Sequence, residues 1–562
     1  MNAGSDFTIT WMLLVPCTLM FLLSFMACDR SQTNQDGENK ATASKKKQGG
    51  SKSQKTDAST DTRNQSRAEA NYQRYCASCH GETGQGNGPA AEYLYPKPRN
   101  LVTAPYKFTS TPGGQPPADR DLHRTISEGL AGTGMPGFGS LLSDNEIDGL
   151  VEYVKELSPR FEQLSEPEPI SIPQPPEPTD KLISKGKNLY QKNACWTCHG
   201  RDGEGDGPSA EGLKNDRGNP IQPRDFTTGV YKSGGEPKDL YRTIVNGLPG
   251  TGMPAYRSAL KKEKDRWALV YYLRSLSDRD GETERPRFNG KRVLTVAESK
   301  LPGSPSDPAW NDVEGVELGT YPLWKRPEPA PLLTVKAVHN GNKAAFLLAW
   351  NDATNNTQDL KQTSFTDAAA IQLPSDTADQ PPFHGMGDLM DDGKVRIWHW
   401  KAIRARGNRQ GEPVDLDDVY QNMYADRYRG LSDAGTRDGK QTPPADVNIQ
   451  DQPSDLQSAV DADNPLASKK LAGRSVLEYV AEGFGSLTAV PPEQHRTTGQ
   501  SSWSKGTWRV VIERPLSTDL KNDPSLAPGT STWIGFAVFD GHFNERNGKK
   551  SVTQWIRLNV EK

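Results

Sequence analysis

A five-residue pattern, Cys-x-x-Cys-His, occurs twice in this chain and constrains the fold more than any other feature. Cys76-Ala77-Ser78-Cys79-His80 returns as Cys195-Trp196-Thr197-Cys198-His199. Two cysteines one helical turn apart can form thioethers to the vinyl edge of a haem, while the adjacent histidine reaches the iron. The competing readings are a thiol redox pair or half of a zinc site. Duplication and the histidine after each pair favour covalent attachment. The motif therefore predicts two haem c groups, one on Cys76 and Cys79 with His80 on iron, the other on Cys195 and Cys198 with His199 on iron.

The repeat extends well beyond the motif. GETGQGNGPA after the first is matched by GRDGEGDGPS after the second, and Pro98-Arg99-Asn100 by Pro223-Arg224-Asp225. DLHRTISEGLAGTGMP returns as DLYRTIVNGLPGTGMP. Leu150, Val151, Val154 and Leu157 correspond to Leu269, Val270, Leu273 and Leu276, spaced to share one helical face. Ser143 and Glu146 make a capping-box signal before the first of these helices. The repeat resembles the class I cytochrome c fold, in which a methionine in such a loop closes the coordination sphere. That resemblance implies two all-α domains with Met135 and Met253 as sixth ligands. A thioether ligand raises the potential and suits electron transfer over oxygen chemistry. It also implies that a proline carbonyl, here of Pro89 or Pro208, accepts the ligand histidine's Nδ1 proton. Arg99 and Arg224 are candidates for haem propionates, with solvated arginines as the alternative.

At 562 residues the chain exceeds one hydrophobic core, so about three domains are expected. Sixty-eight basic against 71 acidic residues leave a net charge of -3, which argues against a nucleic-acid role. The remaining cysteines, Cys17 and Cys28, flank or lie in an apolar stretch from Trp11 to Ala27, so none is left for a structural disulfide. Small Ala27 before Cys28 resembles a bacterial lipoprotein cleavage site, which implies lipid on Cys28. Phe25 in place of the usual leucine, and no Lys or Arg before Trp11, depart from that pattern. An uncleaved anchoring helix and ordinary secretion are the alternatives. All three predict an exported body on the periplasmic side, membrane-anchored in the first two.

The expected order is signal or anchor 1–28, disordered tether 29–67, cytochrome c domain 68–160, Pro-rich spacer 161–179, cytochrome c domain 180–279, and a third domain 280–562. In the third, Leu333, Val335 and Ala337 alternate before Asn340-Gly341, a hairpin signal, and Ala345, Leu347 and Ala349 alternate after it. Trp508, Val510 and Ile512 alternate likewise, as do Ile534, Phe536 and Val538, then Ile556, Leu558 and Val560. This predicts an all-β sandwich, interrupted by a long polar insertion at about 404–502.

The segments DPAWN from Asp307, WNDATNNT from Trp350, SFTDAAAIQLP from Ser364 and HGMGDLMDDGKVRIWHWKA from His384 come in order. GTWRVVIERPL from Gly506 and FAVFDGHFNERNGKKSVTQWIRL from Phe536 follow. Together they resemble the haem-binding gamma subunit of ethylbenzene dehydrogenase. Its relatives serve selenate and chlorate reductase, dimethylsulfide dehydrogenase and nitrite oxidoreductase. The resemblance implies one non-covalent haem b held between methionine and lysine. Met386 matches the methionine, with Met390 and Met423 the other methionines outside the leader and c sites. Lys550 matches the lysine, with Lys549 its immediate rival and Lys505 a weaker one. His384, His399 and His542 are competing ligands, and His339 reads as a turn residue. A lysine can ligate iron only as the neutral amine.

These features predict a haem-bearing electron-transfer subunit that partners molybdopterin and iron–sulfur subunits and exchanges electrons with small redox carriers. A di-haem peroxidase would need one open iron, which the two Thr-Gly-Met-Pro loops disfavour. A carbohydrate-binding sandwich would use exposed tryptophans such as Trp398 and Trp400.

Overall fold

The computed structural model describes residues 57–163, 168–277, 293–357, 364–375, 380–382, 386–387, 393–405, 471, 473–483, 485–520 and 523–562. Cys17, Cys28, the leader, most of the tether, His384, Met390, Met423 and residues 406–470 lie outside the described residues. Among the described residues no helix is long and apolar enough to cross a membrane.

Among the described residues up to 277, nine helices fall into two sets. The first is α1 (Asp57–Tyr75), α2 (Ala77–His80), α3 (Asp119–Glu128), α4 (Asp144–Glu156) and α5 (Arg160–Gln163). The second is α6 (Asp180–Lys192), α7 (Trp196–His199), α8 (Pro237–Asn246) and α9 (Glu263–Arg274). Helix α1 reaches into what the sequence reads as tether. Helix α4 starts as its capping box dictates, with the Ser143 N–H donating to the Glu146 carboxylate at 3.0 Å. Its apolar stripe, Ile147, Leu150, Val151 and Val154, packs with Tyr72 and Tyr75 of α1. In the second set α6 crosses α9 the same way, around Tyr190, Leu269 and Leu273.

The repeat solves each crossing with a small pair whose members trade places. A Cβ at Gly186 of α6 would fall on the Ala268 carbonyl of α9. In the first module the alanine sits on α1 as Ala68 and the glycine on α4 as Gly149, whose added Cβ would stand 3.4 Å from Ala68. Backbones come this close only where one partner lacks a side chain. The Pro-rich segment is not a free spacer. Ile170 and Ile172 pack against the second module's core, and the Tyr271 hydroxyl donates to Pro176 O.

The C-terminal region is β-rich. Its strands are β1 (Val293–Glu298), β2 (Gly315–Gly319), β3 (Tyr321–Pro322), β4 (Leu332–His339), β5 (Lys343–Asn351), β6 (Ala368–Pro374) and β7 (Val395–Lys401). They continue as β8 (Val476–Ala481), β9 (Thr488–Ala489), β10 (Thr498–Ser504), β11 (Thr507–Pro515), β12 (Ser531–Phe539), β13 (Ser551–Val552) and β14 (Ile556–Val560). The order is β10-β11-β5-β4-β1-β14-β12-β6-β7-β8-β9. Strand β12 joins two sheets: Ser531–Ile534 pair with β14, and Gly535–Phe539 pair with β6. The inner faces share one core, with Leu333, Val335, Phe346, Leu348, Val510 and Ile512 from one sheet and Ile371, Leu373, Trp398 and Trp400 from the other. Each fully buried leucine or phenylalanine there contributes roughly 1.5–3 kcal/mol of transfer free energy.

Two expectations need correction. The hairpin at Asn340-Gly341 forms, but Phe346, Leu348 and Trp350 face the main core while Ala345 and Leu347 pack on the opposite side with Trp310 and Val511. Strand β5 is buried on both faces, so either alternation fits. The insertion is also narrower than 404–502, because β8 lies inside the second sheet between β7 and β9 and β10 pairs with β11. Glu478 made β8 look polar. It is buried, yet it accepts from Arg396 Nε at 3.0 Å and from Thr497 N at 2.8 Å. Asp523 bridges Arg396 and Arg514, so two guanidiniums balance two buried carboxylates.

Candidate functional site

Each Cys-x-x-Cys-His forms a short helical turn, with the His N–H donating to the first cysteine's carbonyl at 2.8 Å in one copy and 3.0 Å in the other. Tyrosine hydroxyls clamp the turn from the preceding helix: Tyr72 Oη donates to Gly81 O at 2.8 Å, and Tyr190 Oη to Gly200 O at 2.7 Å. Burial pushes the Cys76 thiol up to about 12 and those of Cys79 and Cys195 to about 11. Redox-active Cys-x-x-Cys pairs need a stabilised thiolate, and these environments oppose one.

His80 Nδ1 lies 2.9 Å from Arg99 O, and His199 Nδ1 lies 3.0 Å from Arg224 O. A carbonyl can only accept, so Nδ1 carries the proton and Nε2 is left bare for a metal. This corrects the expectation drawn from Pro89 and Pro208. The acceptors are the arginine carbonyls, supplied by the loop that closes over each ring. Arg99 itself pairs with Asp216 of the second module at 3.2 Å. Arg224 Nε donates to Asp225 O and Nη2 contacts Thr228 Oγ1.

The methionine loops are the same structure twice. Leu130 N donates to Met135 O at 3.0 Å, Thr133 Oγ1 to Leu130 O at 2.7 Å, and Met135 N to Thr133 Oγ1 at 3.2 Å. Leu248, Thr251 and Met253 repeat these bonds at 3.1, 2.7 and 3.2 Å. Gly129 and Gly247, at φ +71° and +66°, turn the chain where a Cβ would strike the loop backbone. Both methionines are half-buried, and Met135 packs with Cys76 in the first module's core.

The modules grip each other reciprocally. Gly132 of the first methionine loop abuts Arg224, and Gly250 of the second abuts Arg99. Arg124 makes a two-pronged pair with Asp239 at 2.6 and 2.9 Å, and Asn246 Nδ2 donates to Thr109 O and Thr111 O.

A further site lies on the outer face of the second sheet. Lys550 Nζ is 3.5 Å from Met386 Sδ. Met386 adopts φ +87°, strained for a non-glycine residue, and its carbonyl accepts from Gly483 N at 2.8 Å. Burial alone pushes the Lys550 amine down to about 8. Lys549 instead is exposed, with its amine over the Trp324 ring. Lys505 sits at an exposed turn, and His542 is exposed against Phe543. His399 does reach the site: it lies near Phe539 and Tyr479, burial holds its pKa well below the ordinary value, and its Nε2 has no hydrogen-bond partner. His339 serves the hairpin, accepting Gly341 N at Nδ1. Ala370 stands in register between Ala537 and His399, so the sheet offers a floor of methyl groups. Trp398 and Trp400 are fully buried, so these two cannot serve as the exposed stacking platform of a carbohydrate module.

This face abuts the first module. Cys79, Ala90 and Leu94 share a cluster with Met386, Leu323, Phe539 and Trp555, while Gln554 Nε2 donates to Gly137 O at 3.2 Å.

Comparison with known proteins follows this division. Residues 307–551 match the ethylbenzene dehydrogenase family, residues 183–277 the cytochrome c family, and residues 63–154 cbb3-type cytochrome c oxidase subunit III. The chain is 25% identical over 284 residues to the ORF7 product of Haloferax mediterranei, described as a respiratory nitrate reductase haem subunit; this covers 49% of the chain and 74% of that protein. It is 26% identical to the chlorate reductase gamma subunit of Ideonella dechloratans, over 40% of the chain and 64% of that protein. In a solved reducing HAO-like protein complex from Kuenenia stuttgartiensis, 96% of one chain aligns at 40% identity with 38% of this one, at a TM-score of 0.37, too loose an overlay to carry an argument. The chain thus joins two cytochrome c segments, which imply covalent haem c, to a segment of the ethylbenzene dehydrogenase family, and it is a haem-bearing electron-transfer protein.

Proposed function

We propose that the chain is the haem subunit of a molybdopterin oxidoreductase complex, carrying two haem c groups and one haem b. The observation that carries this reading is the facing pair Met386 and Lys550, on a methyl-lined sheet face that packs directly on the first cytochrome c module. In this reading His80 and Met135, and His199 and Met253, hold the c irons, and Met386 with Lys550 holds the b iron. When bound, each haem supplies a one-electron ferric–ferrous couple. The chain's own residues do the rest. Thioethers and imidazoles set the potentials, Ala370 and Ala537 give a planar group room, and Phe539 and Tyr479 exclude water.

Charge supports the same reading. Burial, with Arg224, Lys107 and Lys325 nearby, pushes Lys232 down to about 8. Such a desolvated cluster of cations suits haem propionates. The β module's haem-b face packs on the first module and the first module on the second, so the path we infer runs from an iron–sulfur partner to the β module, then to the first and second c modules, and on to small redox carriers. Membrane attachment through Cys28 and a periplasmic location belong to this proposal. Co-purification from native membranes tests it: molybdenum and iron–sulfur subunits in stoichiometric company are expected, and a chain that purifies alone from intact membranes counts against it.

A pH dependence follows from Lys550. The free amine must lose its proton to bind iron, so haem b affinity of the haem-b-free protein is expected to rise roughly tenfold per pH unit up to about pH 8 and then level off. Spectroscopic titration at several pH values checks this; a flat profile from pH 6 to 9 would count against lysine ligation.

A further inference from the structure

Three aspartates converge where strands from both sheets end. Asp352 follows β5, Asp367 precedes β6 and Asp540 follows β12. One carboxylate oxygen of each lies within 4.8 Å of the other two. Asp352 and Asp367 are 6% and 0% exposed. Glu545, buried beside them, accepts Asp540 N at 3.0 Å.

One cation serves these four acids among the described residues. Arg326 bonds Glu545 at 3.1 Å and Asp540 at 3.2 Å; its charge also lowers Asp352, to which it makes no hydrogen bond. Asp367 receives only neutral donors: Gly541 N at 2.8 Å, Asn356 N at 2.7 Å and Trp508 Nε1 at 3.0 Å. Asp352 Oδ1 accepts from Thr354, but its Oδ2 is buried without any hydrogen-bond partner. Burial and mutual repulsion raise Asp352, and raise Asp367 to about 7. The Glu478–Arg396–Asp523–Arg514 network in the same module shows the contrast, since two guanidiniums there answer two carboxylates. An orphaned, buried oxygen in a cluster of three carboxylates calls for a positive charge, and none of the described residues bonds it.

The geometry points to a binding site for a hard divalent cation of the calcium type, held by the carboxylates of Asp352, Asp367 and Asp540. Thr354 Oγ1, 2.9 Å from Asp352 Oδ1 and 2.7 Å from the Asn356 side-chain oxygen, adds a neutral oxygen at the edge of the cluster. Nitrogen and sulfur donors are absent from the cluster, which disfavours zinc and copper. Magnesium keeps several of its waters, whereas calcium accepts an all-protein oxygen set. The ion ties β5 of one sheet to β6 and β12 of the other, at the start of the Gly541–Lys550 segment that presents the Lys550 amine.

The test uses the full, haem-loaded chain, gel-filtered in metal-free buffer without chelator. Elemental analysis is expected to find about one calcium per chain. EGTA is expected to lower the unfolding midpoint by several degrees, and calcium, but not magnesium, to restore it. Asp352→Asn separates the two accounts by sign. If a cation is bound, the substitution abolishes calcium retention and lowers the midpoint. If the acids merely crowd one another, removing a charge raises it. Should that variant fail to fold, the chelator and calcium response of the wild type decides alone. Absence of stoichiometric calcium, with a midpoint indifferent to EGTA and calcium, overturns the proposal.

Discussion

Lys550→Ala is expected to strip the non-covalent haem from the protein while both covalent haems stay. In a pyridine haemochrome assay, the b-type signal should vanish against an unchanged c-type signal. The physical cause is the pairing of a thioether with an amine that burial already disposes to neutrality. Met386→Ala should weaken retention in the same direction. Lys550→Arg should fail like alanine, because a guanidinium stays protonated and cannot donate a lone pair. Lys549→Ala should change nothing, since that amine lies exposed over Trp324. Full haem b retention in Lys550→Ala, or its loss in Lys549→Ala, would overturn the ligand assignment.

The second large effect concerns the methionine loops. Met135→Ala and Met253→Ala are each expected to lower the midpoint potential of one c haem by on the order of 200 mV, a fraction of the roughly 0.8 V that axial ligands span. The loss should be confined to the altered module, because the Leu-Thr-Met hydrogen bonds hold each loop by its backbone and not through the thioether. Potentiometric titration of each variant checks it. Unmoved potentials in both would show that neither sulfur is on iron.

Much of this architecture was legible in the sequence because its chemistry is local. Cysteine spacing states the attachment site, and a detailed repeat states two copies of one domain. What escaped reading depends on contacts between distant residues. Nothing near His80 or His199 announces that Arg99 and Arg224 offer carbonyls to them; the loop path decides that. Lys549 and Lys550 are adjacent in sequence, and only the chain's exit into β13 turns one inward and the other to solvent. Strand β8 hid behind Glu478, whose charge is answered by Arg396 from the neighbouring strand. The aspartate cluster hid for the same reason, since its members lie at three strand ends.

The account stands on iron with both axial positions filled, so that charge is relayed and no substrate is touched. Electron paramagnetic resonance of the fully oxidised, haem-loaded chain, recorded before and after hydrogen peroxide, measures this most directly. The account predicts low-spin ferric signals only, unchanged by peroxide. A stoichiometric high-spin ferric signal that peroxide consumes, with turnover, would contradict it.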